Sequence, residues 1–333
     1  MMSLSALFTL YCLLTTAPNL NPPEVQALLQ SGLAFAYVEE FDSAAVYFDE
    51  LIERYPQNPS GYFFKAALLQ VKMLDRSDYR AEEEYLSLMR TAIHRSEDIL
   101  EHENNLWAEF YLGSGYTYRA VHEGLKGNYW ETFKYGVKGG RILQNIIKKD
   151  STFYDAYLGA GSYEYFWARA SRYLFIPNLG GGNVTEAIRK LHVAAEKSQY
   201  SGPTAKNSLV FIYGEEKMFA AADRIIEELL DAYPRGKTFL WSKAELDFKK
   251  ENYRHALQSY AELYSRYNAE NTKNYANLAQ SKLYMGKCYI ELGEKTNARA
   301  ALKDVVNYKE QAGQYPKIKD YAREAYNLLS RIF

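Results

Sequence analysis

The chain has 333 residues, of which 24% are charged and 47% hydrophobic, and this ordinary globular mixture excludes wholesale disorder. A formal net charge of −1 excludes a global electrostatic attraction to nucleic acid or to an anionic membrane surface. Only two cysteines are present, which excludes a disulfide framework, and nine prolines leave long uninterrupted segments that favour helices.

The N-terminal segment is a candidate for targeting. Residues 4–14 are almost entirely apolar, and small residues follow near Ala17. This run is too short to span a bilayer comfortably and fits the apolar region of a secretory signal peptide. We therefore predict a signal peptide over residues 1–17 and a linker over 18–23, with lipid attachment at Cys12, a misassigned start or a buried helix as alternatives. Export would place a bacterial protein in the periplasm or at the outer membrane, and a chain that is not exported would be cytoplasmic.

Residues 24–56 predict the first pair of antiparallel helices. The second helix of this pair carries five side chains at spacings of 3, 4, 3 and 4, which share one helical face. They are Phe41, Ala44, Phe48, Leu51 and Tyr55. Gly32 lies 12 residues before Ala44, where a small residue lets two helices approach closely, and Pro56 ends the second helix.

The middle of the chain predicts further helix pairs with less regular spacing. Residues 57–101 favour a longer pair, Tyr62 to Leu74 and Ala81 to Leu100. Residues 102–199 favour additional pairs with longer loops. Within them, Trp167 to Gly182 is predicted to be an aromatic, basic and glycine-rich insertion.

The same five-residue helical face recurs in the C-terminal region, where residues 200–310 predict three units. Two copies of the face lie 34 residues apart. They are Phe219, Ala222, Ile226, Leu229 and Tyr233, and then Tyr253, Ala256, Tyr260, Leu263 and Tyr267. The third unit keeps Gly286 12 residues before Ala298. Residues 311–333 mix charge with an apolar stripe and predict the terminal helix that caps a repeat stack.

The pattern resembles the tetratricopeptide repeat, which has a 34-residue period and small, small, aromatic and proline positions. This resemblance implies an all-α superhelix of antiparallel helix pairs, with regular units over 24–56 and 200–310, degenerate pairs between them and a C-terminal capping helix. The segment from Asp155 to Tyr213 is also similar, more faintly, to the family of inclusion-body-clearance and tetratricopeptide-39-like proteins. That likeness rests on Tyr157-Leu158-Gly159 and on the helix around Ile188, and it implies a fold without a function.

One group of residues is a candidate binding surface, which we call the lip. Its basic members lie at helical spacing, and the others lie among aromatic side chains of the insertion. Its residues are Lys134, Lys138, Arg141, Tyr165, Trp167, Arg169, Arg172 and Tyr173. Arginine beside tyrosine and tryptophan is typical of binding hot spots, so the lip predicts recognition of an acidic or extended peptide. The alternative is an ordinary solvated helix face with aromatic residues in the core.

The sequence predicts no catalytic, cofactor or metal site. Gly180-Gly181-Gly182 precedes a helix, but no Lys-Ser/Thr follows, so a phosphate loop is disfavoured. Instead Asn183 is predicted to cap that helix, with Glu186 reaching back to it. His94 and His102 share a helical region with two carboxylates, yet the His-Glu-x-x-His pattern of metalloproteases is absent, which favours a solvated face.

The expected function follows from the predicted shape. Stacked helix pairs rotate slightly from one to the next and create a concave surface. We therefore predict a non-enzymatic scaffold or adaptor of the cell envelope that binds a partner protein or peptide there, without nucleic acid. Association with the outer membrane and the oligomeric state are left open. The alternative is a carrier of an apolar ligand in a cavity under the insertion, and an enzyme using the insertion is disfavoured because no motif supports it.

Overall fold

A computed structural model describes residues 19–173, 182–311 and 317–332, without the side chains of residues 171–173. Residues 1–17 and most of the glycine-rich end of the predicted insertion lie outside this part. The described residues form α-helices, one short 3-10 helix and no strand. The α-helices are α1 Pro23–Tyr37, α2 Phe41–Arg54, α3 Pro59–Arg76, α4 Glu82–Leu100, α5 Leu106–Leu125, α6 Tyr129–Lys149, α7 Ala156–Tyr173, α8 Val184–Lys197, α9 Gly202–Glu215, α10 Phe219–Ala232, α11 Lys237–Lys249, α12 Tyr253–Ala269, α13 Tyr275–Glu291, α14 Lys295–Asn307 and α15 Lys317–Ile332.

The helices α1 to α14 form seven consecutive antiparallel pairs, and α15 packs on α13 and α14 as a cap. From α1 to α11, the first helices of successive pairs contact one another along the array, as in a superhelical stack. This confirms the predicted all-α superhelix with its terminal cap. The segment Trp167–Tyr173, predicted to begin an insertion, is instead the C-terminal end of α7. None of the described helices is long and apolar enough to cross a membrane.

The repeated face forms the core of each pair, because its alanines and the bulky residues that follow them are buried. Ala44 and Phe48 of α2 are both buried, as are Ala298 and Leu302 of α14. A methyl group on Gly32 would lie 2.5 Å from Cε1 of Phe48, and one on Gly286 would lie 2.7 Å from Cδ2 of Leu302. The small residue of the first helix therefore makes room for the residue four positions after the alanine, and not for the alanine itself.

A close helix crossing lies between α5 and α6, where glycines let the two backbones approach. A methyl group on Gly139 would lie 2.6 Å from the carbonyl oxygen of Gly113 and 2.9 Å from the backbone nitrogen of Thr117. The next residue, Gly140, faces the other neighbour, because a methyl there would lie 2.2 Å from Cγ of Tyr163 in α7. Two successive glycines thus fix the distances from α6 to both neighbouring helices.

The superhelix closes on itself through Tyr200, in the link between α8 and α9. The Tyr200 ring centroid lies 5.8 Å from that of Phe64 in α3 and 5.8 Å from that of Trp107 in α5. Its hydroxyl donates to Oδ1 of Asn21, and its backbone nitrogen donates to Asp155 at 2.9 Å. The Tyr200 side chain, in the link that precedes the fifth pair, therefore packs against the inner side of the first three pairs.

A second closing contact joins the C-terminal end of α3 to the last two pairs. The carboxylate of Asp75 accepts hydrogen bonds from the Tyr267 hydroxyl at 3.0 Å, from Nδ2 of Asn277 at 2.8 Å and from Nδ2 of Asn274 at 3.2 Å. Burial, with a further contribution from the nearby Glu39, raises the pKa of Asp75 to about 6. Asp75 therefore remains mostly ionised at neutral pH, as an acceptor of three hydrogen bonds should be.

The turn between α1 and α2 makes a third closing contact. The Glu39 carboxylate accepts from the backbone nitrogen of Thr238 at 2.7 Å and from its hydroxyl at 2.9 Å, and it lies 3.4 Å from Nζ of Lys237. Both residues belong to the start of α11. The inner side of the N-terminal half is therefore occupied by the chain itself, which limits where a partner can enter.

Candidate binding groove

The inner side stays open along α7, α9 and α11, the first helices of the fourth, fifth and sixth pairs. These helices line a groove with a volume of about 340 Å³. Its exposed and partly exposed side chains recur at three- and four-residue spacings, which place them on one face of each helix. They are Ser162 and Phe166 of α7, Thr204, Asn207, Ser208 and Phe211 of α9, and Ser242, Glu245 and Lys249 of α11.

Two phenylalanines give the groove its apolar contact surface. Phe166 is 58% exposed and Phe211 is 44% exposed, although both belong to helices whose other large apolar side chains are mainly buried. Beneath them, the buried side chains of Val210 and Leu246 close the floor. Neighbouring exposed aromatic rings in a concave site are typical of binding surfaces, because burying them against a partner removes apolar area from water.

Polar side chains form one rim of the groove. The Ser242 hydroxyl donates to Oδ1 of Asn207 at 2.7 Å, which fixes the orientation of that amide across α9 and α11. The amide nitrogen of Asn207 then faces away from Ser242 as a donor. The hydroxyl of Thr204, which also lines the groove, lies 3.2 Å from the Tyr37 hydroxyl of α1.

The opposite end of the groove is charged. The Glu215 carboxylate forms ion pairs with both Lys249 and Arg169, and its hydrogen bond from Lys249 lowers its pKa. The Lys249 ammonium also lies 5.2 Å from the centroid of the Phe211 ring. By contrast, the exposed Glu245 forms no hydrogen bond or ion pair in the described part of the chain; partial desolvation raises the pKa of its carboxyl, and the charge of the nearby Lys249 opposes this shift.

The structure distributes the lip residues over several places. Tyr165 is fully buried, and its hydroxyl accepts from Arg169 at 3.0 Å and lies 3.4 Å from the Glu216 carboxylate. This pair therefore joins the charged end of the groove. The charge of Arg169, predicted to belong to the lip, is paired with Glu215 within the chain.

Trp167 lies on the other side of α7, in the seam with α6. Its ring centroid is 5.2 Å from that of Phe133 and 6.0 Å from that of Tyr163. Phe133 stacks in turn with Trp130, which is 74% exposed. We call Trp130, Phe133, Trp167 and Tyr163 the seam row, and it is separate from the groove.

The basic lip residues of α6 lie apart from both places. Lys138 donates to the Tyr116 hydroxyl, and its ammonium is 4.0 Å from the centroid of that ring. Lys134 lies 3.5 Å from Glu131, and Arg141 is exposed beside Tyr163. The side chains of Arg172 and Tyr173 lie outside the described residues. The six lip residues with described side chains therefore do not form a single surface.

Two other sequence predictions concern the start of α8. Oδ1 of Asn183 accepts from the backbone nitrogens of Thr185 at 2.8 Å and Glu186 at 3.3 Å, which confirms the predicted cap. Glu186 was wrongly expected to reach back, because it forms an ion pair with Arg189 at 2.7 Å instead. Elsewhere in the described residues, no group of three or more potential ligands is arranged to hold a metal ion.

The sequence analysis missed the groove residues, although a signal for them existed. On α9, Thr204, Ser208 and Phe211 recur at spacings of four and three, on a face that the repeated core positions do not use. Searching the first helix of each unit for exposed aromatic and polar residues at this spacing would have found them.

Comparisons with known proteins agree with this architecture. Residues 26–58 and 280–308 match the family model of the tetratricopeptide repeat. No curated protein matches the sequence. The match covers two separated units of the array, and the pairs between them extend the same superhelix.

Solved structures with this kind of fold are similar over most of the chain. A component of the Cut9-Hcn1 hetero-tetramer of the APC/C has 14% identity and a TM-score of 0.55, with 91% of this chain and 55% of that chain covered. A signal transduction ATPase with numerous domains and a tetratricopeptide repeat sensor, from Pyrococcus horikoshii, has 16% identity and a TM-score of 0.55, with coverages of 91% and 46%. A tetratricopeptide repeat protein from Parabacteroides merdae has 14% identity and a TM-score of 0.44, with coverages of 91% and 99%. At these identities the first two likenesses show the fold alone.

Proposed function

We propose that the chain is a non-enzymatic scaffold that binds an extended segment of a partner protein in the groove of α7, α9 and α11. The observation that carries this proposal is the open groove itself, in an array whose described N-terminal half is occupied on its inner side by the chain's own closing contacts. A tetratricopeptide-type fold generally serves protein–protein interaction, and this groove is where such a surface remains accessible.

The chemistry of the groove suits an extended segment. A peptide in this conformation presents backbone donors and acceptors at every residue, and these need polar partners when they leave water. Asn207, Ser242 and Ser208 supply such groups along one rim. Phe166 and Phe211 supply apolar surface for side chains of the same segment. The volume of about 340 Å³ holds only a few side chains, so the recognised segment is short.

The same groove does not favour the alternative of a carrier for an apolar ligand. Polar and charged side chains make up much of its lining, and most of the lining lies on α9 and α11, beyond the predicted insertion. We further propose that the scaffold works in the cell envelope. That location rests on the apolar run at residues 4–14 and would be supported by cleavage of the chain near Ala17.

A matched pair of tryptophan variants tests the binding proposal. Ser208 lies within the groove on α9, whereas Glu227 is exposed on the neighbouring helix α10. We expect Ser208→Trp to occupy the groove and weaken partner capture from an extract of the source cells at least about tenfold, equivalent to about 1.4 kcal/mol. We expect Glu227→Trp to capture the wild-type set of partners, as identified by mass spectrometry.

Thermal melting of both variants serves as the folding control, and each should melt within a few degrees of the wild-type chain. If a well-folded Ser208→Trp chain captures the same partners as the wild-type chain, the groove is not the binding surface.

A further inference from the structure

Two of the closing contacts meet in one cluster of charged and polar side chains, which we call the latch. Its members are Glu39, Asp75, Lys237, Tyr267, Glu270, Asn274 and Asn277. Glu39 and Asp75 belong to the N-terminal half of the array, and the other members belong to α11 and to the segment from α12 to α13. Hydrogen bonds across the latch join residues 192 to 202 positions apart, so it forms only when the superhelix is closed.

The latch contains three carboxylates but only one ammonium group. The Lys237 ammonium lies 3.4 Å from the Glu39 carboxylate and forms a closer ion pair with Glu270. These two carboxylates therefore share the same cation. In the described part of the chain Asp75 forms no ion pair, so its charge has no direct counter-charge when the carboxyl is ionised.

The Asp75 carboxylate lies among buried, neutral groups. Its hydrogen-bond donors are the hydroxyl of Tyr267 and the side-chain amides of Asn274 and Asn277. All three donor residues are buried, which keeps water away from the carboxylate they contact. Neutral donors replace part of the lost hydration but supply no opposite charge, so these surroundings favour the protonated carboxyl relative to water.

The closed latch binds a proton at Asp75 more tightly than an open chain would. In water an aspartate carboxyl has a pKa of about 3.9. Within the latch, burial and then the charge of Glu39 raise the pKa of Asp75 to about 6. Glu270 adds to this rise, whereas the Lys237 charge and the hydrogen bond from Tyr267 oppose it. Protonation of Asp75 therefore favours closure at low pH, and this gain is lost as the pH rises from about 4 through about 6.

From this cluster and its place between distant helices we propose that the latch is a proton-linked closing device. A proton taken up by the Asp75 carboxylate stabilises the contact of α3 with α12 and α13, and loss of that proton loosens the contact. No latch residue lines the groove, so the inference does not depend on the proposed function. The two are connected through α11, which begins in the latch at Lys237 and lines the groove from Ser242 onward.

Replacing Asp75 by a side chain that cannot titrate tests the inference. Asp75→Asn keeps the shape and one acceptor oxygen of the wild-type side chain. The control is Asp78→Asn, because Asp78 lies three residues further on and pairs with Arg80, whose hydrogen bond lowers the pKa of that carboxyl. Hydrogen exchange of the full chain, read by mass spectrometry, would be compared at pH values of about 5 and about 7.5, with correction for the intrinsic exchange rate. Peptides covering the start of α13 should lose about tenfold in protection at the higher pH in the wild-type chain and the control, but not in Asp75→Asn.

Low concentrations of urea separate local opening of the latch from unfolding of the whole chain. Local opening exposes little surface, so exchange at the start of α13 should respond less to urea than exchange at the α5–α6 crossing. The same pH dependence in the wild-type chain and in Asp75→Asn would overturn the inference. Exchange at the start of α13 that follows the α5–α6 crossing in both urea and pH would also overturn it, because Asp75 would then act on overall stability and not on closure. If Asp75→Asn does not fold, the urea and pH dependence of the wild-type chain alone decide between these outcomes.

Discussion

Tyr200→Ala should lower the free energy of unfolding by about 3–5 kcal/mol, the range expected when a large buried aromatic side chain is truncated. Tyr200 is only 4% exposed, and its ring packs between Phe64 and Trp107. Truncation would leave a cavity where the α8–α9 link meets the first three pairs. Urea unfolding measures the loss of stability, and small-angle X-ray scattering should show a larger radius of gyration, because this contact holds the closed superhelix.

Tyr200→Phe is the matched control. It keeps the ring and removes only the hydroxyl that donates to Asn21, so the expected loss is about 1 kcal/mol, without expansion of the chain. If Tyr200→Ala retains the stability and size of the wild-type chain, the packing of Tyr200 against the first three pairs does not hold the superhelix closed. The inner side of those pairs would then be as open to a partner as the groove is.

Gly139→Ala should lower the free energy of unfolding by about 1–3 kcal/mol, as expected for overpacking at a close contact. The added methyl group would meet backbone atoms of Gly113 and Thr117 at 2.6 and 2.9 Å, and backbone cannot move aside without separating α5 from α6. The higher helix propensity of alanine, about 1 kcal/mol, offsets only part of this effect. Urea unfolding of the purified variants provides the measurement.

Gly136→Ala provides the comparison on the same helix. Its methyl group would lie 3.7 Å from Cβ of Ala120, which is an ordinary contact, so propensity should dominate and stability should stay constant or rise by up to about 1 kcal/mol. Equal losses in the two variants would show that the α5–α6 crossing is looser than these distances require.

Local periodicity was sufficient to predict the all-α superhelix. The faces around Ala44, Ala222 and Ala256 are each set by residues within one helix, and a 34-residue recurrence relates the last two. The closing contacts carry no such local signal. Asp75 and Asn277 are 202 residues apart, and neither repeats in register with the other units. Contacts between such distant residues depend on the rotation accumulated over all the helix pairs between them. The sequence pattern does not predict this rotation.

The candidate site was predicted less well, and helix geometry explains why. Tyr165 and Arg169 are four residues apart and share a face, so both reach the charged end of the groove. Trp167 is two residues from each and therefore points toward the opposite neighbour, where it meets Phe133. The predicted lip was a group chosen by residue type, so it combined side chains that point to different sides of α7. It also left out Glu245 and Phe211, which line the groove from helices distant in sequence.

The central claim, that α7, α9 and α11 form the partner-binding surface, is tested most directly by photo-cross-linking. Benzoylphenylalanine would replace one exposed aromatic residue at a time: Phe211 in the groove, Phe133 in the seam row and the 66% exposed Tyr326 on the capping helix. We expect the chain with the label at position 211 to cross-link to its partner and those with labels at 133 and 326 to remain uncross-linked. Cross-links from position 133 or 326, with none from 211, would contradict the account.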